Sequence, residues 1–368
     1  MSKALAEISR LGTSIWLDDL SRERLIAGGA ARSLRSLIES EYVVGVTTNP
    51  AIFSAAISNS PLYQDEIRSL HRAGTDTEEI ITTLTCADVM SACDMFAGVY
   101  ERSAGSDGRV SIEVDPRFAR DTDSTIRQAR ELWQRIDRPN LLIKVPATLE
   151  GLPAITTLIS EGISVNVTII FSVTRYAEVL SAYNSGLEMR AAQGLDLSQI
   201  HSVASFFVSR VDTEIDARLQ SNQDGLHLRG KAAIANARLA YQHFELVTRS
   251  QRWRDLHNRG ANLQRPLWAS TGVKDPTYDP GMYVTELVAA NTVNTMPEQT
   301  LIAVRDSDAP IQESISSYYE NSAQVINELA GIGIDIEEVA GKLESEGIEK
   351  FIKPWNTLIE NVDRVARS

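Results

Sequence analysis

Short apolar, β-prone runs alternate with longer helical patterns along this chain. In the run at 110–115, Ile112 and Val114 face one side while Glu113 and Asp115 face the other. Each such run offers one or two polar groups from its later half. Eight runs predict strands: 13–19, 43–48, 110–115, 140–146, 164–170, 202–208, 266–271 and 283–288. Eight strands that alternate with helices predict a parallel (β/α)₈ barrel of the TIM type with additional helices.

A doubly wound open sheet is the alternative fold. Such a sheet would usually carry a glycine-rich phosphate loop directly after a strand. The nearest candidate, Gly331-Ile332-Gly333, lies between two helical patterns. It is better interpreted as a helix end, followed by a new helix that is capped by Asp335 with Glu338.

The helical patterns contain a few marked boundaries. An early helix is expected to end at Gly28-Gly29, and the next to begin near Ala31. Thr75 with Glu78 predicts a capping box within a long helical stretch. Two helices, at about 310–329 and 335–367, close the chain. We therefore predict one domain over residues 1–368, in which the helices from about residue 310 pack on the barrel.

Composition restricts the classes of partner. The 368 residues are 43% hydrophobic and 23% charged, which is ordinary for a globular protein, and the net charge is −13. With a pI near 5.0, nucleic acid and anionic membrane are poor candidates as main partners. A small anionic substrate stays open, because a few placed cations suffice locally. The oligomeric state is open, and a homodimer is one option.

Cysteine usage and hydropathy point to the cytoplasm. Cys86 and Cys93 lie seven residues apart on a predicted helix, so they share a face and are expected to pack in the core. No zinc-type spacing is present. We also expect no run that is long and apolar enough to span a membrane, and no secretory segment.

Lys144 is the most informative residue, because it lies within an apolar strand run. A lysine is almost never fully buried unless it is paired. Burial favours the neutral form of an amine, and a neutral amine is a nucleophile toward carbonyl groups. A structural lysine that pairs with a core carboxylate is an equally good interpretation of this run alone.

Two extended motifs, in order, resemble those of transaldolases. The segment at 45–53, Gly-Val-Thr-Thr-Asn-Pro-Ala-Ile-Phe, resembles the first motif of that family. The segment at 141–152, Leu-Leu-Ile-Lys-Val-Pro-Ala-Thr-Leu-Glu-Gly-Leu, resembles the second motif, which carries the Schiff-base lysine. Segments 111–115, 166–172 and 205–210 match as well. The length and the Trp-Leu-Asp-Asp start are most similar to the longer bacterial branch, which includes actinobacterial enzymes.

This resemblance implies a transferase of the pentose phosphate pathway. It would move a dihydroxyacetone unit from sedoheptulose 7-phosphate to glyceraldehyde 3-phosphate, giving erythrose 4-phosphate and fructose 6-phosphate. No metal and no organic cofactor is implied. By resemblance, Lys144 forms the imine and Asp18 takes the C4 hydroxyl proton. Glu113, with a water held by Thr168, shuttles protons during imine formation.

The resemblance also implies a set of substrate-binding residues. Two asparagines would bind the dihydroxyacetone hydroxyls, and a serine with an arginine would hold the phosphate. The candidate binding residues are Asn49, Thr47, Asn166, Ser205, Arg210, Ser270 and Lys274. One departure concerns the second phosphate arginine of many transaldolases, whose position is Gly272 here. Lys274 is the candidate substitute.

Each candidate has a plainer interpretation. Asp18 could cap a helix while Asp19 is the base, although strand parity and the resemblance both favour Asp18. Glu113 could be a simple counter-ion, and Arg210 could lie in a surface ion pair. Asn49 before Pro50 fits ordinary turn chemistry. Thr168 is also an ordinary β-former. Two functional alternatives are a fructose 6-phosphate aldolase and a sugar-phosphate-binding barrel without catalysis. The joint occurrence of the motifs, in matching order, favours transaldolase.

Overall fold

Eight parallel strands form a closed barrel in a computed structural model that describes residues 2–26, 32–220 and 223–368. Each strand pairs with the next along the chain, and the last pairs with the first. The strands are β1 Thr13–Leu17, β2 Val43–Val46, β3 Arg109–Glu113, β4 Leu141–Pro146, β5 Val165–Ile170, β6 Ser202–Phe207, β7 Gln264–Ala269 and β8 Thr292–Met296. The predicted (β/α)₈ barrel is confirmed.

Helices surround this barrel and connect its strands. They are α1 Lys3–Arg10, α2 Arg22–Leu25, α3 Leu34–Ser40, α4 Pro50–Asn59, α5 Gln64–Arg72, α6 Thr77–Arg102, α7 Thr122–Ile136, α8 Gly151–Glu161, α9 Val173–Ala192, α10 Ser209–Leu219, α11 Ala232–Thr248, α12 Gln251–His257, α13 Met282–Thr285, α14 Glu298–Arg305, α15 Tyr319–Gly331 and α16 Ile336–Ala366. Short 3₁₀ helices lie at Pro61–Tyr63, Pro116–Phe118, Gln223–Leu228 and Ser316–Tyr318. The expected helix end at Gly28-Gly29 and start at Ala31 lie outside the described residues.

The predicted eighth strand at 283–288 is wrong. That apolar run begins within the short helix α13, and the strand lies further on, at Thr292–Met296. A short apolar run does not distinguish a buried helix from a strand. The true strand is rich in polar residues that bond inside the protein: Thr292 Oγ1 donates to the Ala289 carbonyl, and Asn294 Nδ2 donates to the Tyr283 carbonyl.

The long helix α6 corrects two expectations. Its cap is Asp76, whose side chain accepts from the Glu79 amide, so the predicted capping box at Thr75 is one residue out of register. The helix is also long and apolar enough to cross a membrane by length and composition, contrary to our expectation. More than half of its most apolar stretch is buried against the protein, as in a core helix. Cys86 and Cys93 are free and buried on it, which confirms their predicted packing.

The C-terminal helix α16 reaches the end of the barrel where the strands finish. It packs against α4, α5, α6, α10 and β5. Asp335 caps it by accepting from the Glu337 amide, and α15 ends at Gly331, as the glycine-containing segment predicted. Phe351 and Gly347 lie on the part of α16 that faces the barrel. Helix α16 therefore places residues that are distant in sequence at the ends of the barrel strands.

Strand register aligns three polar residues across neighbouring strands. Glu113 on β3 is level with Lys144 on β4, and Lys144 is level with Asn166 on β5. The carboxyl ends of barrel strands carry the functional groups in this fold. The parallel pairing therefore brings together residues that are far apart in sequence.

Candidate active site

Lys144 lies buried at the end of β4 and is only 4% exposed. Its Nζ donates to Glu113 Oε2 at 3.1 Å and to the Thr48 carbonyl at 3.0 Å. The Glu113 side chain is equally buried, and this burial raises its pKa, against the lowering effect of Lys144. A carboxyl group with a raised pKa is suited to exchange a proton with a neighbouring amine.

Two buried oxygens, one on β3 and one on β5, lack a hydrogen-bond partner in the described chain. Glu113 Oε1 and Thr168 Oγ1 have no hydrogen-bond partner within the described part of the chain. Buried polar atoms rarely stay unpaired, so both are suited to bind a water or a substrate oxygen. The pairing of β5 with β6 is irregular here, and Ile169 has a φ of 58°. A positive φ is strained for a β-branched residue, and such strain is typical of functional sites.

Asp18 follows β1 and faces the interior of the strand ends. Its Oδ1 accepts from Thr47 Oγ1 at 2.6 Å, and Thr47 Oγ1 is 2.7 Å from Thr295 Oγ1 on β8. Burial raises the pKa of Asp18, whereas the nearby Lys144 and the Thr47 hydrogen bond lower it. The carboxyl is therefore held in place by one hydroxyl and is suited to act as a proton acceptor.

The neighbouring Asp19 points away to a different set of charges. Its Oδ2 lies 2.6 Å from Nη2 of Arg24, and Arg24 also bonds Glu298 at 2.5 Å. Arg32 joins this network through Glu298. The strand parity that assigned Asp18 to the interior therefore agrees with the observed side-chain directions. Asp19 has the role of an ion-pair partner.

A cavity of about 170 Å³ opens above Lys144. Its lining residues are Asp18, Thr47, Asn49, Lys144, Ser205, Phe207, Arg210, Ala269, Ser270, Gly272, Lys274, Thr295, Pro297 and Phe351. The lining combines hydroxyl groups and the amine of Lys144 with the cations of Arg210 and Lys274. Such a combination suits a polyhydroxylated substrate with a negatively charged end.

Arg210, in the first turn of α10, supplies the buried cation of this cavity. Its guanidinium lies 5.2 Å from the centre of the Phe207 ring and 5.9 Å from that of Phe351. Its Nη1 is buried without a hydrogen-bond partner, and no ion pair to Arg210 occurs among the described residues. Burial lowers its pKa, against the influence of Asp18. A guanidinium with a free donor is suited to bind an anion.

Lys274 lies at the rim, in the loop after β7. Its Nζ is 3.9 Å from the point that a Cβ at Gly272 would occupy. The Lys274 amine therefore lies within contact distance of the place where a side chain at residue 272 would begin. Ser270 stands nearby with a φ of 55°, and its Oγ is 3.0 Å from Ser209 Oγ.

The two asparagines differ in their surroundings. Asn49 lines the cavity and also caps α4, because its Oδ1 accepts from the Ile52 amide at 3.0 Å. Asn166 is fully buried: its Nδ2 donates to Ser111 Oγ, and its Oδ1 accepts from Ser205 Oγ at 2.7 Å. Asn166 is therefore next to the cavity through Ser205. The turn chemistry and the binding role of Asn49 are compatible.

Known proteins of one family are similar to this chain along most of its length. The family described as Transaldolase/Fructose-6-phosphate aldolase matches residues 15–362. The transaldolase of Mycolicibacterium smegmatis is 56% identical over 358 residues, covering 97% of this chain and 95% of the relative. That of Renibacterium salmoninarum is 54% identical over 370 residues, covering 100% and 98%. That of Saccharopolyspora erythraea is 53% identical over 358 residues, covering 97% and 96%.

The chain belongs to the transaldolase family. It matches relatives along nearly their whole length, including actinobacterial ones. In this transaldolase-family protein, no group of three or more metal-ligating side chains is found in the part of the chain that is described.

Sequence reasoning missed two features of the transaldolase-family cavity. Thr295 was hidden because β8 was placed on the wrong run, although three of the five residues of Thr292–Met296 are β-branched, which favours a strand. Phe351 had no local signal, since it lies in an ordinary amphipathic helix. Its ring centre is 5.6 Å from Lys144 Nζ, a contact that only the folded chain creates.

Proposed function

We propose that this chain catalyses the transaldolase reaction, with Lys144 as the Schiff-base residue. The observation that carries the proposal is the buried Lys144–Glu113 pair beneath a cavity that also contains Asp18 and Arg210. The donor is sedoheptulose 7-phosphate and the acceptor is glyceraldehyde 3-phosphate. The products are erythrose 4-phosphate and fructose 6-phosphate.

Imine formation begins when Lys144 transfers a proton to Glu113. The 3.1 Å contact allows the transfer, and the raised pKa of Glu113 favours it. The neutral amine attacks C2 of the ketose and forms a carbinolamine. Glu113 then returns a proton to the departing hydroxyl, through a water bound between its free Oε1 and Thr168 Oγ1. Loss of that hydroxyl as water leaves the protonated imine.

Carbon–carbon cleavage then depends on Asp18. Its carboxylate takes the proton of the C4 hydroxyl as the C3–C4 bond breaks and an aldehyde departs. The electron pair moves toward the protonated imine, which stabilises it as an enamine on Lys144. When the acceptor aldehyde enters, the enamine attacks its carbonyl carbon and Asp18 returns the proton to the new hydroxyl. Hydrolysis of the imine releases the product.

The remaining candidates hold the substrate. Ser205, Ser270 and Arg210 line the same cavity, where a phosphate group would fit the free donor Nη1 of Arg210. Lys274 supplies a second charge in place of a side chain at Gly272. Asn49 and Thr47 bind the hydroxyls near the imine, and Asn166 fixes Ser205.

The second candidate function is an aldolase that releases dihydroxyacetone. The family description includes fructose 6-phosphate aldolase. The aromatic ring of Phe351 near Lys144 Nζ favours transfer, because it restricts the access of water to the intermediate. The two functions differ in what happens to the enamine when no acceptor is present.

Acceptor dependence separates these candidates. Fructose 6-phosphate is mixed with the purified protein, with and without erythrose 4-phosphate, and free dihydroxyacetone and glyceraldehyde 3-phosphate are both quantified. We expect rapid glyceraldehyde 3-phosphate formation only with the acceptor, and none from Lys144→Met in either case. Rapid release of dihydroxyacetone without the acceptor would assign the aldolase reaction instead.

We further propose that the enzyme works in the cytoplasm on small sugar phosphates, with neither nucleic acid nor a membrane as partner. The net charge of −13 and the two buried free thiols support this proposal. The homodimer stays a prediction.

A further inference from the structure

A second cationic cavity lies at the opposite end of the barrel. Strand β3 ends at Glu113 in the active site and begins at Arg109, which is only 1% exposed. Four residues of extended strand separate these positions by roughly 13 Å. We propose that the cavity at Arg109 binds a tetrahedral oxyanion, namely phosphate as the free ion or as the end group of a phosphorylated metabolite.

The hydrogen bonds of Arg109 leave much of its guanidinium unused. Nε donates to the Gly105 carbonyl at 2.7 Å, and Nη1 donates to the Pro139 carbonyl at 3.4 Å. Nη2 is buried with no hydrogen-bond partner in residues 2–26, 32–220 and 223–368. A guanidinium has five N–H donors, so most of the donors of this one remain available. They are suited to an acceptor with several oxygens.

The charge of Arg109 has no direct ion-pair partner in the described chain, although Asp107 acts on it from nearby. Over the described ranges, no carboxylate forms an ion pair with it, although the Tyr100 ring centre lies 5.3 Å from its guanidinium carbon. Burial lowers its pKa to about 10, so the side chain still carries its charge at neutral pH. A buried charge without a partner is costly. In a chain with a net charge of −13, such an isolated cation is not a simple consequence of composition.

The space beside Arg109 fits an oxyanion. The cavity measures about 220 Å³. Since a water takes about 30 Å³, there is room for a phosphate with several waters. Its polar lining residues are Ser106, Arg109, His201, Ser202, His257, Asn262, Arg265 and Asn291. No carboxylate lies among the lining residues of the described chain, and the neighbouring Asp107 is ion-paired with Arg265.

Gly105 shows that Arg109 and His201 approach the same point. A Cβ at Gly105 would lie 3.3 Å from Arg109 Nη2 and 3.0 Å from His201 Nε2. Gly105 has a φ of 82°, a conformation that favours glycine. The absence of a side chain therefore keeps open the space between the guanidinium and the imidazole.

The other charges at this cavity leave Arg109 free. Arg265 is paired with Asp107 at 3.0 Å, and Asp107 also accepts from Ser14. Burial lowers the pKa of His201 to about 3, with Arg109 and Arg265 adding to the effect. His201 is consequently neutral at pH 7 and offers one ring N–H. Arg109 remains the buried cation that an anion would neutralise.

The test uses phosphate binding in a protein whose active-site anion contact has been removed. Thermal unfolding of Arg210→Ala is followed while sodium phosphate is added, with sodium chloride at matched ionic strength as the reference. His201→Glu and His201→Gln are compared in this background. The glutamate places a carboxylate beside Arg109, while the glutamine is a neutral control of similar reach. Arg109→Met is measured as well.

We expect phosphate to raise the Tm of Arg210→Ala beyond the chloride reference. The phosphate concentration that gives half of the Tm shift should rise about tenfold or more in His201→Glu and change little in His201→Gln. Arg109→Met should lose the phosphate response, and if it does not fold, the His201 pair decides. Equal shifts with glycerol phosphate would assign the site to phosphorylated metabolites, and a response to inorganic phosphate alone would assign it to the free ion. A phosphate effect no larger than that of chloride, or equal responses of the two His201 variants, would overturn the proposal.

Discussion

Replacing Asp18 by asparagine separates imine formation from carbon–carbon cleavage. The amide keeps the size of the side chain and can still accept a hydrogen bond from Thr47, so the geometry around Oδ1 should survive. It removes the base. Because the imine forms at Lys144 with Glu113, we expect Asp18→Asn to form the imine normally and to cleave the sugar slowly.

The size of the effect follows from the lining of the cavity. Asp18 is the only carboxylate among the described residues that line it, and Glu113 is bonded to Lys144. No second base is therefore in position. General acid–base catalysis is worth about 10²–10⁴-fold. At about 1.4 kcal/mol for each factor of ten, the loss corresponds to roughly 3–5 kcal/mol of activation free energy.

Asp19 provides the matched control. Asp19→Asn removes the 2.6 Å ion pair to Arg24, but Arg24 keeps its bond to Glu298. Since the Asp19 side chain is 34% exposed, we expect a stability change of about 1 kcal/mol or less, and unchanged turnover. Both variants are assayed for transfer from fructose 6-phosphate to erythrose 4-phosphate in a steady-state assay. Imine formation is measured separately by borohydride trapping.

The contrast between the two variants is decisive. Asp18→Asn should give a trapped adduct in normal yield, with turnover reduced at least a hundredfold or so. If Asp19→Asn is the crippling change and Asp18→Asn is mild, then the carboxylate roles derived from strand parity are wrong. Loss of the adduct in Asp18→Asn would instead place this residue in imine formation.

Three further predictions concern the cavity. Arg210→Ala should weaken the binding of phosphorylated substrates by about ten- to a hundredfold, since a charged hydrogen bond contributes about 1.5–3 kcal/mol. Lys274→Ala should have the same effect but a smaller one. Equal losses of kcat/KM for unphosphorylated dihydroxyacetone or fructose would contradict the assigned contact. Phe351→Leu should raise dihydroxyacetone release without acceptor relative to transfer, because the ring near Lys144 Nζ is removed; an unchanged ratio in a coupled assay would refute this shielding. Burial raises the pKa of Asp18 above its ordinary value of 3.8, so the folded protein should lose stability as pH rises from that value to the raised pKa. In urea unfolding, Asp18→Asn should lack this part of the pH dependence. The same change of unfolding free energy with pH in both proteins would argue against this contribution.

The strands that carry chemistry were predictable because their sequence patterns are strong. Lys144 is a charged residue within an apolar run, and Glu113 alternates with Ile112 and Val114. Parallel pairing then brings Glu113 level with Lys144. Local periodicity therefore predicted both the barrel and the end of it at which polar groups gather.

The eighth strand and the C-terminal helix show where local pattern fails. Thr292 and Asn294 are fully buried, which their polarity would not suggest. Thr292 Oγ1 donates to the Ala289 carbonyl and Asn294 Nδ2 donates to the Tyr283 carbonyl. Tertiary hydrogen bonds of this kind have no local signature. Phe351 is similar, because its position near the lysine depends on how the whole helix α16 packs.

Asp18 and Asn49 needed the fold before their surroundings could be described. Alternation placed Asp18 inside, but its bond to Thr47 joins two strands. Asn49 was best explained alone as turn chemistry, and it does cap a helix while also lining the cavity. A single residue can satisfy both interpretations, so sequence alone could not choose between them.

Reductive trapping shows directly whether Lys144 forms the covalent intermediate. The protein is incubated with fructose 6-phosphate and sodium borohydride, digested, and mapped by peptide mass spectrometry. We expect one reduced adduct, on the peptide that contains Lys144, and no adduct in Lys144→Met. An adduct on Lys274 or any other lysine, or full activity in Lys144→Met, would contradict it.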